Sequence, residues 1–277
     1  MINGNTELIA HIGYPTHTFK SPMIYNPYFQ EAGINAVVVP MGCQPHHYPA
    51  FLKSVFTLEN IRGALITMPH KVTTVALLDE VTATVRVAGA CNAVKRLADG
   101  RLVGDMFDGA GFVRGVQRKG FDLTGKRVLV VGTGGVGCAI AASLAGAGIV
   151  AIGLFDVNTA SCEALAQRLR DNCPQIEVRT GSNDPVGHDL VVNATPMGMN
   201  DGDPLPLDVS RLSPDTFVGE VVMKAETTAF LAAAQARGCR TQVGTDMLYE
   251  QIPAYLEYFG LPTTTAEVLR RVAQLSY

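Results

Sequence analysis

The feature that most constrains this chain is the passage from residue 127 to residue 147. Arg127-Val128-Leu129-Val130-Val131 is a continuous apolar, β-branched run of the kind buried on both faces of a parallel sheet. It runs directly into Gly132-Thr133-Gly134-Gly135-Val136-Gly137, and then into the alanine-rich, helical stretch 138–147. Gly132, Gly134 and Gly137 therefore fit G-x-G-x-x-G in the context that gives the pattern physical meaning, after a strand and at the opening of a helix. The first glycine permits a tight turn, the second lets the backbone approach a pyrophosphate, and the third lets helix and strand pack closely. The helix start adds unpaired N–H groups and partial positive charge. A second buried strand, 150–155, ends at Asp156, where a carboxylate accepts hydrogen bonds from ribose hydroxyls and repels a 2′-phosphate. Val157 and Asn158 follow it and bring no counter-charge. The pattern predicts a bound dinucleotide, NAD in preference to NADP.

A chain of 277 residues exceeds the usual single core, so two domains are expected, with a cleft between them. Before the glycine motif, short apolar runs at 8–13, 35–40 and 63–67 alternate with helical stretches. After it, strands are expected at 176–178, 189–193, 216–222 and 241–243. Residues 247–277 read as helical, broken by Pro253, Gly260 and Pro262. The predicted architecture is α/β: a substrate-binding and catalytic domain over 1–104, a Rossmann-type doubly wound domain over 105–243, and C-terminal helices over 244–277 that return to the first domain. With 17% charged and 47% hydrophobic residues and a net charge of −3, the chain has no electrostatic reason to seek nucleic acid or membrane. A small-molecule partner is expected, for a monomer or homodimer. The six cysteines are scattered, with no C-x-x-C and no Cys/His cluster at zinc spacing, which predicts reduced, mostly buried thiols and no metal. No stretch reads as a signal peptide or a membrane span, so the cytoplasm is expected.

Oxidising a secondary alcohol takes a hydride acceptor, which a nicotinamide provides, and a side chain to take the hydroxyl proton. Lys71, in Thr67-Met68-Pro69-His70-Lys71, and Asp108, in a glycine-rich stretch between the domains, are candidates on loops. Composition alone leaves each open to the plainer reading of a solvated charge, and leaves His70 as a rival base. His17, His46 and His47 have no partner at metal spacing and read as surface residues.

The order of motifs resembles the shikimate dehydrogenase family along nearly the whole chain. It runs through Gly13-Tyr14-Pro15, Lys20-Ser21-Pro22 with Asn26, Thr67 to Lys71, Ala88-Gly89-Ala90-Cys91-Asn92 and Asp108-Gly109-Ala110-Gly111. It continues through the glycine motif, Asn193-Ala194-Thr195-Pro196-Met197-Gly198-Met199 and Gly244-Thr245-Asp246-Met247-Leu248-Tyr249-Glu250-Gln251. The resemblance implies reversible hydride transfer between NAD or NADP and a shikimate- or quinate-like ring, an activity of aromatic amino acid biosynthesis. It makes Lys71 and Asp108 a catalytic dyad, sets Ser21, Thr67, Asn92 and Gln251 on the substrate, and lines the nicotinamide side with Asn193, Thr195, Met197, Gly244 and Met247. The chain also departs from the family pattern. Phe19 stands where the first of two carboxylate-binding serines is usual, Leu65 replaces an asparagine, and Met106-Phe107 replaces Asn-Thr. Val222 and Lys224 replace a tyrosine and a proline, and Asp156-Val157 replaces an Asn-Arg pair suited to a 2′-phosphate. These departures point to a more apolar substrate pocket. They leave room for a less polar or amino-substituted ring; a non-catalytic dinucleotide sensor would have no chemical need for Lys71 and Asp108.

Overall fold

In the computed structural model, which describes residues 2–275, the first apolar run forms β1 (Glu7–Gly13). It is followed by α1 (Pro22–Glu31), β2 (Ala36–Gly42), α2 (Tyr48–Val55), β3 (Ile61–Ile66) and the short α3 (Lys71–Val75). Then come β4 (Glu80–Val81), α4 (Ala83–Ala88), β5 (Ala93–Arg96) and β6 (Leu102–Asp105). The sequence pattern does not announce these last three strands. They are two to four residues long, too short for alternation to show, and β5 ends in Lys95-Arg96.

The six strands form one sheet in the order β2-β1-β3-β5-β6-β4. β1 lies parallel to β2 and β3, whereas β5 runs antiparallel to both β3 and β6. That reversal brings the start of β5 to the same sheet edge as the ends of β1, β3 and β6. The segments after Gly13, Ile66 and Asp105, and the residue before Ala93, thus leave from one edge. Register partners share a face of the sheet, so Pro40, His11, Leu65, Ala93 and Asp105 form one row across five strands. On the outer edge, the Asn26 side chain of α1 imitates a neighbouring strand. Its Nδ2 donates to the Val38 carbonyl at 3.0 Å and its Oδ1 accepts from the Val38 amide at 2.8 Å.

The second part of the chain comprises α5 (Asp108–Arg118), β7 (Arg127–Val131), α6 (Gly135–Ala145), β8 (Ala151–Phe155), α7 (Thr159–Asn172), β9 (Glu177–Thr180) and β10 (Leu190–Asn193). It continues with β11 (Phe217–Glu220), α8 (Ala229–Ala236) and β12 (Arg240–Gln242), and the chain closes with α9 (Gly244–Tyr258) and α10 (Ala266–Val272). Its sheet is parallel throughout, in the order β12-β11-β10-β7-β8-β9. This is the doubly wound arrangement, whose strand order reverses between β7 and β10 and whose ligands bind at the carboxyl ends of those strands. Leu129, Val131, Val191 and Val218 pack with Phe230 and Leu231 of α8 on one face, while Val128 and Val130 are buried on the other. Burial on both faces explains the unbroken apolar run.

By its contacts the chain divides into two compact units: residues up to Phe107 together with those from Gln251 onward, and Asp108–Glu250. The first boundary falls later than 104/105 because Asp105 still pairs with Ala93 in β6 and the Phe107 amide is held by Asn92 Oδ1 at 2.9 Å. The second falls at Glu250/Gln251 rather than 243/244. Asp246 and Glu250 of α9 are ion-paired to Lys119 and Arg118, at 3.0 and 3.5 Å, within the second unit. Beyond Gln251 the C-terminal segment belongs with the first unit: Tyr258 Oη donates to the Val103 carbonyl at 2.8 Å and Tyr28 Oη to the Pro262 carbonyl at 3.0 Å. Pro253 does not break the helix as the sequence suggested. It lies inside α9, where burial of Leu248, Ile252 and Leu256 on either side outweighs one lost backbone bond. The break comes at Gly260, at φ +68°, with the Leu261 amide reaching back to the Leu256 carbonyl at 2.8 Å. All six cysteines are free, five of them buried. Among the described residues no helix is long and apolar enough to cross a membrane, and no His/Cys/Asp/Glu group is placed to hold a metal.

Asn26→Ala strands both polar groups of Val38 on the edge strand. It is expected to lower the unfolding free energy by about 1–3 kcal/mol, read as a lower urea midpoint at unchanged m-value.

Candidate active site

In the first unit, the segments that follow β1 and β3 meet at Gly13. A Cβ there has no room, because Thr67, the Met68 carbonyl and the Phe19 ring close on it. Thr67 is fixed by its amide, which donates to the Ile12 carbonyl at 2.9 Å. Phe19 is buried and its ring stacks on His11, with centroids 4.1 Å apart and planes 28° from parallel. Ser21 stands at the N-cap of α1 and spends no side-chain hydrogen bond on the cap. Lys71 opens α3 and is buried, and its carbonyl accepts from the Cys91 amide at 2.9 Å, which sets it beside Asn92.

Asn92 is fully buried. Its amide donates to the Asp105 carbonyl at 3.0 Å, and its carbonyl accepts from the Ile66 amide at 2.8 Å and from Tyr255 Oη at 3.2 Å. Its Oδ1 accepts from the Phe107 amide. Only Nδ2 has no partner. Gln251, one turn before Tyr255 on the same face of α9, is likewise buried and leaves Oε1 without a donor. Buried side-chain polar atoms are nearly always satisfied, so an idle donor and an idle acceptor mark a place built for a ligand's oxygens.

The second unit brings the residues expected to bind a dinucleotide to the point where its strand order reverses. Gly132 sits at φ +99° at the end of β7, and the Ala194 carbonyl and Thr195 amide, just past β10, press against its α-carbon. Gly137 packs against the Gly132 carbonyl and Ala194, so a side chain at either position would force the two segments apart. Gly134 is the opposite case: it caps α6, is exposed, and has open space where a Cβ would stand. The unbonded first-turn amides of Gly135 and Val136 follow it, as an anion requires. The residues present therefore fit a dinucleotide pyrophosphate. Asp156 Oδ2 accepts from the Thr133 amide at 2.6 Å and from Thr133 Oγ1 at 3.1 Å, while Oδ1 accepts from the Asn158 amide at 2.8 Å. The carboxylate thus buttresses the glycine loop as well as facing its rim.

Asn193 organises the segment that follows β10. Its Oδ1 accepts from the Thr195 amide at 3.1 Å and from Thr195 Oγ1 at 2.6 Å, and its Nδ2 donates to the Met197 carbonyl at 3.2 Å. Gly244 opens α9 with no room for a Cβ against the Val222 carbonyl, and Met247 is buried one turn on. Asp108 is the buried first residue of α5.

Several sequence expectations need correction or addition. His70 is tied elsewhere: its ring stacks on Tyr48 at 3.9 Å and its Nε2 donates to the Cys43 carbonyl at 2.8 Å, so the rival base is committed to structure. Lys224 is ion-paired with Asp201. His17, His46 and His47 are exposed, as the sequence led us to expect. Three residues of these sites escaped the sequence reading: Tyr255, Glu220 and His11. Glu220 is fully buried, takes Thr228 Oγ1 on one oxygen and Asn193 Nδ2 on the other, and has its carboxyl pushed upward by burial. His11 is buried in β1, and its pKa is lowered to about 3, first by burial and then by the nearby Lys71 ammonium. The signal for His11 was present, since it is the one polar residue in the apolar run 8–13.

Comparison with known proteins follows the same lines. A family model described as the shikimate dehydrogenase substrate binding domain matches residues 11–94. The chain is 32% identical over 277 residues to shikimate dehydrogenase (NADP(+)) of Rubrobacter xylanophilus, covering 98% of this chain and 97% of that protein. It resembles the crystal structure of shikimate 5-dehydrogenase from Listeria monocytogenes in complex with shikimate and NAD, with TM-score 0.88, 26% identity and coverage of 98% and 97%. It is also similar to ligand-free 5-ketofructose reductase of Gluconobacter, with TM-score 0.86, 26% identity and 98% of each chain covered.

The environment of His11 makes a prediction for acid stability. The folded protein keeps this ring unprotonated down to about pH 3, whereas an unfolded histidine takes its proton near 6.5. Between those values the unfolded chain binds the extra proton, so the stability tied to His11 is full above the unfolded pKa and is lost as pH falls. The unfolding free energy of the wild type should therefore fall more steeply on acidification below 6.5 than that of His11→Phe, measured by urea titrations across the range.

Proposed function

Because the chain belongs to the shikimate dehydrogenase family, we propose that it is an NAD-dependent oxidoreductase interconverting a secondary alcohol and a ketone on a small cyclic polyol less charged than shikimate. The observation that carries this reading is the idle Nδ2 of Asn92, a fully buried donor one residue from Cys91, whose amide is bonded to Lys71. It donates to a substrate hydroxyl, Gln251 Oε1 accepts from another, and Thr67 and Ser21 border the same loops. The bound dinucleotide, held by the loop from Gly132 to Gly137 and by Asp156, supplies the hydride acceptor. Lys71 and Asp108 handle the proton of the reacting hydroxyl as a coupled pair; Asp108 directly follows Phe107, the residue that Asn92 Oδ1 holds. Asn193 and Thr195, Met197, Gly244 and Met247 shape the nicotinamide side.

Two departures set the finer preferences. Phe19 and Leu65 offer no hydrogen bonds to a carboxylate, each of which would contribute about 1.5–3 kcal/mol, and a carboxylate against them is desolvated without return. A similar structure is that of a 5-ketofructose reductase, named for an uncharged sugar, which supports a substrate without a carboxylate. Asp156 with Val157 beside it favours NAD, although the curated relative above is named for NADP(+). Small-molecule turnover in the cytoplasm, by a monomer or homodimer, completes the reading.

A panel of cyclic alcohols including shikimate and quinate, assayed with NAD and NADP by nicotinamide absorbance, tests it; absence of turnover across the panel returns the protein to a sensing role. A 2′-phosphate beside the unpaired charge of Asp156 should cost about 1–3 kcal/mol, so kcat/KM with NAD exceeds that with NADP. Asp156→Asn should narrow that gap, and equal or better use of NADP by the wild type refutes the assignment. Lys71→Ala and Asp108→Asn should each lower kcat by about 10²–10⁴ while leaving the dinucleotide dissociation constant nearly unchanged.

A further inference from the structure

His11 stands apart from every residue assigned above. It lies within β1, shares a sheet row with Leu65, carries Phe19 stacked on one ring face and is close enough to Lys71 for the ammonium to suppress its protonation. Its Nδ1 is sealed from solvent and has no hydrogen-bond partner. His11 keeps 6% of its surface exposed and Nδ1 has no share in it, which leaves Nε2 as the ring nitrogen able to meet a ligand. A neutral imidazole carries one proton, and an orphaned buried N–H is rarer and more costly than an idle lone pair. The proton therefore sits on Nε2. The ring presents an uncharged donor beside Lys71, between apolar surfaces.

We infer that His11 is a specificity-determining residue, whose Nε2–H donates to a hydroxyl or carbonyl oxygen of the substrate and, with Phe19 packed on its ring, disfavours a carboxylate there. This deepens the proposed function and rests on its reading of the first unit as the polyol site. A single neutral donor satisfies one uncharged oxygen. A carboxylate brings two oxygens, and the second meets the Phe19 and Leu65 surfaces with nothing to replace its water. Lys71 does not fill the gap, since its ammonium serves the reacting oxygen.

The test compares shikimate with its counterpart carrying a hydroxymethyl group in place of the carboxyl, each with NAD, on wild type, His11→Phe and His11→Gln. Phenylalanine keeps a ring on Phe19 but removes the donor, whereas glutamine places an N–H near the position of Nε2. For the hydroxymethyl compound, His11→Phe should lower kcat/KM about 3- to 10-fold through KM, with His11→Gln within about twofold of wild type and the KM for NAD unchanged. Shikimate should be the poorer substrate of the wild type and should respond less to either change. Equal losses for both compounds, a loss in kcat alone, or no loss in His11→Phe overturns the inference and leaves the oxidoreductase reading standing. Histidine ¹⁵N spectra of the NAD-loaded wild type, titrated with the hydroxymethyl compound, separate the two readings. A shift of the His11 Nε2 signal without turnover upholds the donor role while the oxidoreductase reading fails. Neither shift nor turnover removes both.

Discussion

A buried asparagine is expensive unless its polar groups are matched, and at Asn92 all of them but one are consumed in holding the first unit together. Through its backbone and Oδ1, this residue fastens β5 to the end of β3, to the end of β6, to the residue at which the chain leaves the unit, and to Tyr255 of α9. The antiparallel reversal of β5 is what allows this, because only then does the residue before a strand stand at the edge where its neighbours end. The remaining Nδ2 is aimed by bonds that cannot relax without disrupting several elements. An unpaired donor fixed in this way needs no reorganisation to meet an acceptor.

The second unit achieves comparable fixity by different means. Its dinucleotide loop is shaped less by hydrogen bonds than by missing side chains, with Gly132 and Gly137 letting two strand ends and a helix start meet at backbone distance. Hydrogen bonds then secure the flanks, Asp156 on Thr133 and Asn193 on the segment after β10. Glu220 links that segment to the cap of α8 through Thr228, inside a region closed to water.

Local pattern made the second unit readable from sequence and left much of the first obscure. The run Arg127–Val131, the glycines after it and Asp156 at the end of the next strand are each recognisable within a few residues of chain, so their placement needs no knowledge of distant partners. The short strands β4 to β6 exist because of non-local pairing, and nothing in four residues such as Ala-Val-Lys-Arg declares it. Family resemblance supplied Asn92 and Gln251, but that their side chains keep unpaired atoms follows from tertiary packing alone. Asp156 shows the converse limit: spacing revealed the acid, not its second task of bracing Thr133. Pro253 misled because a helix interior buried on both sides of it overrides the local rule.

The stack of Phe19 on His11 has a consequence for how such a site changes over generations. Neither ring makes a hydrogen bond that supports the backbone, so this pair is free to drift while the scaffold around Asn92 is not. Yet each ring is the other's packing surface, and replacing one leaves its partner beside a void. Substitutions at the two positions are thereby non-additive, and paired exchange is favoured over a sequence of independent single steps.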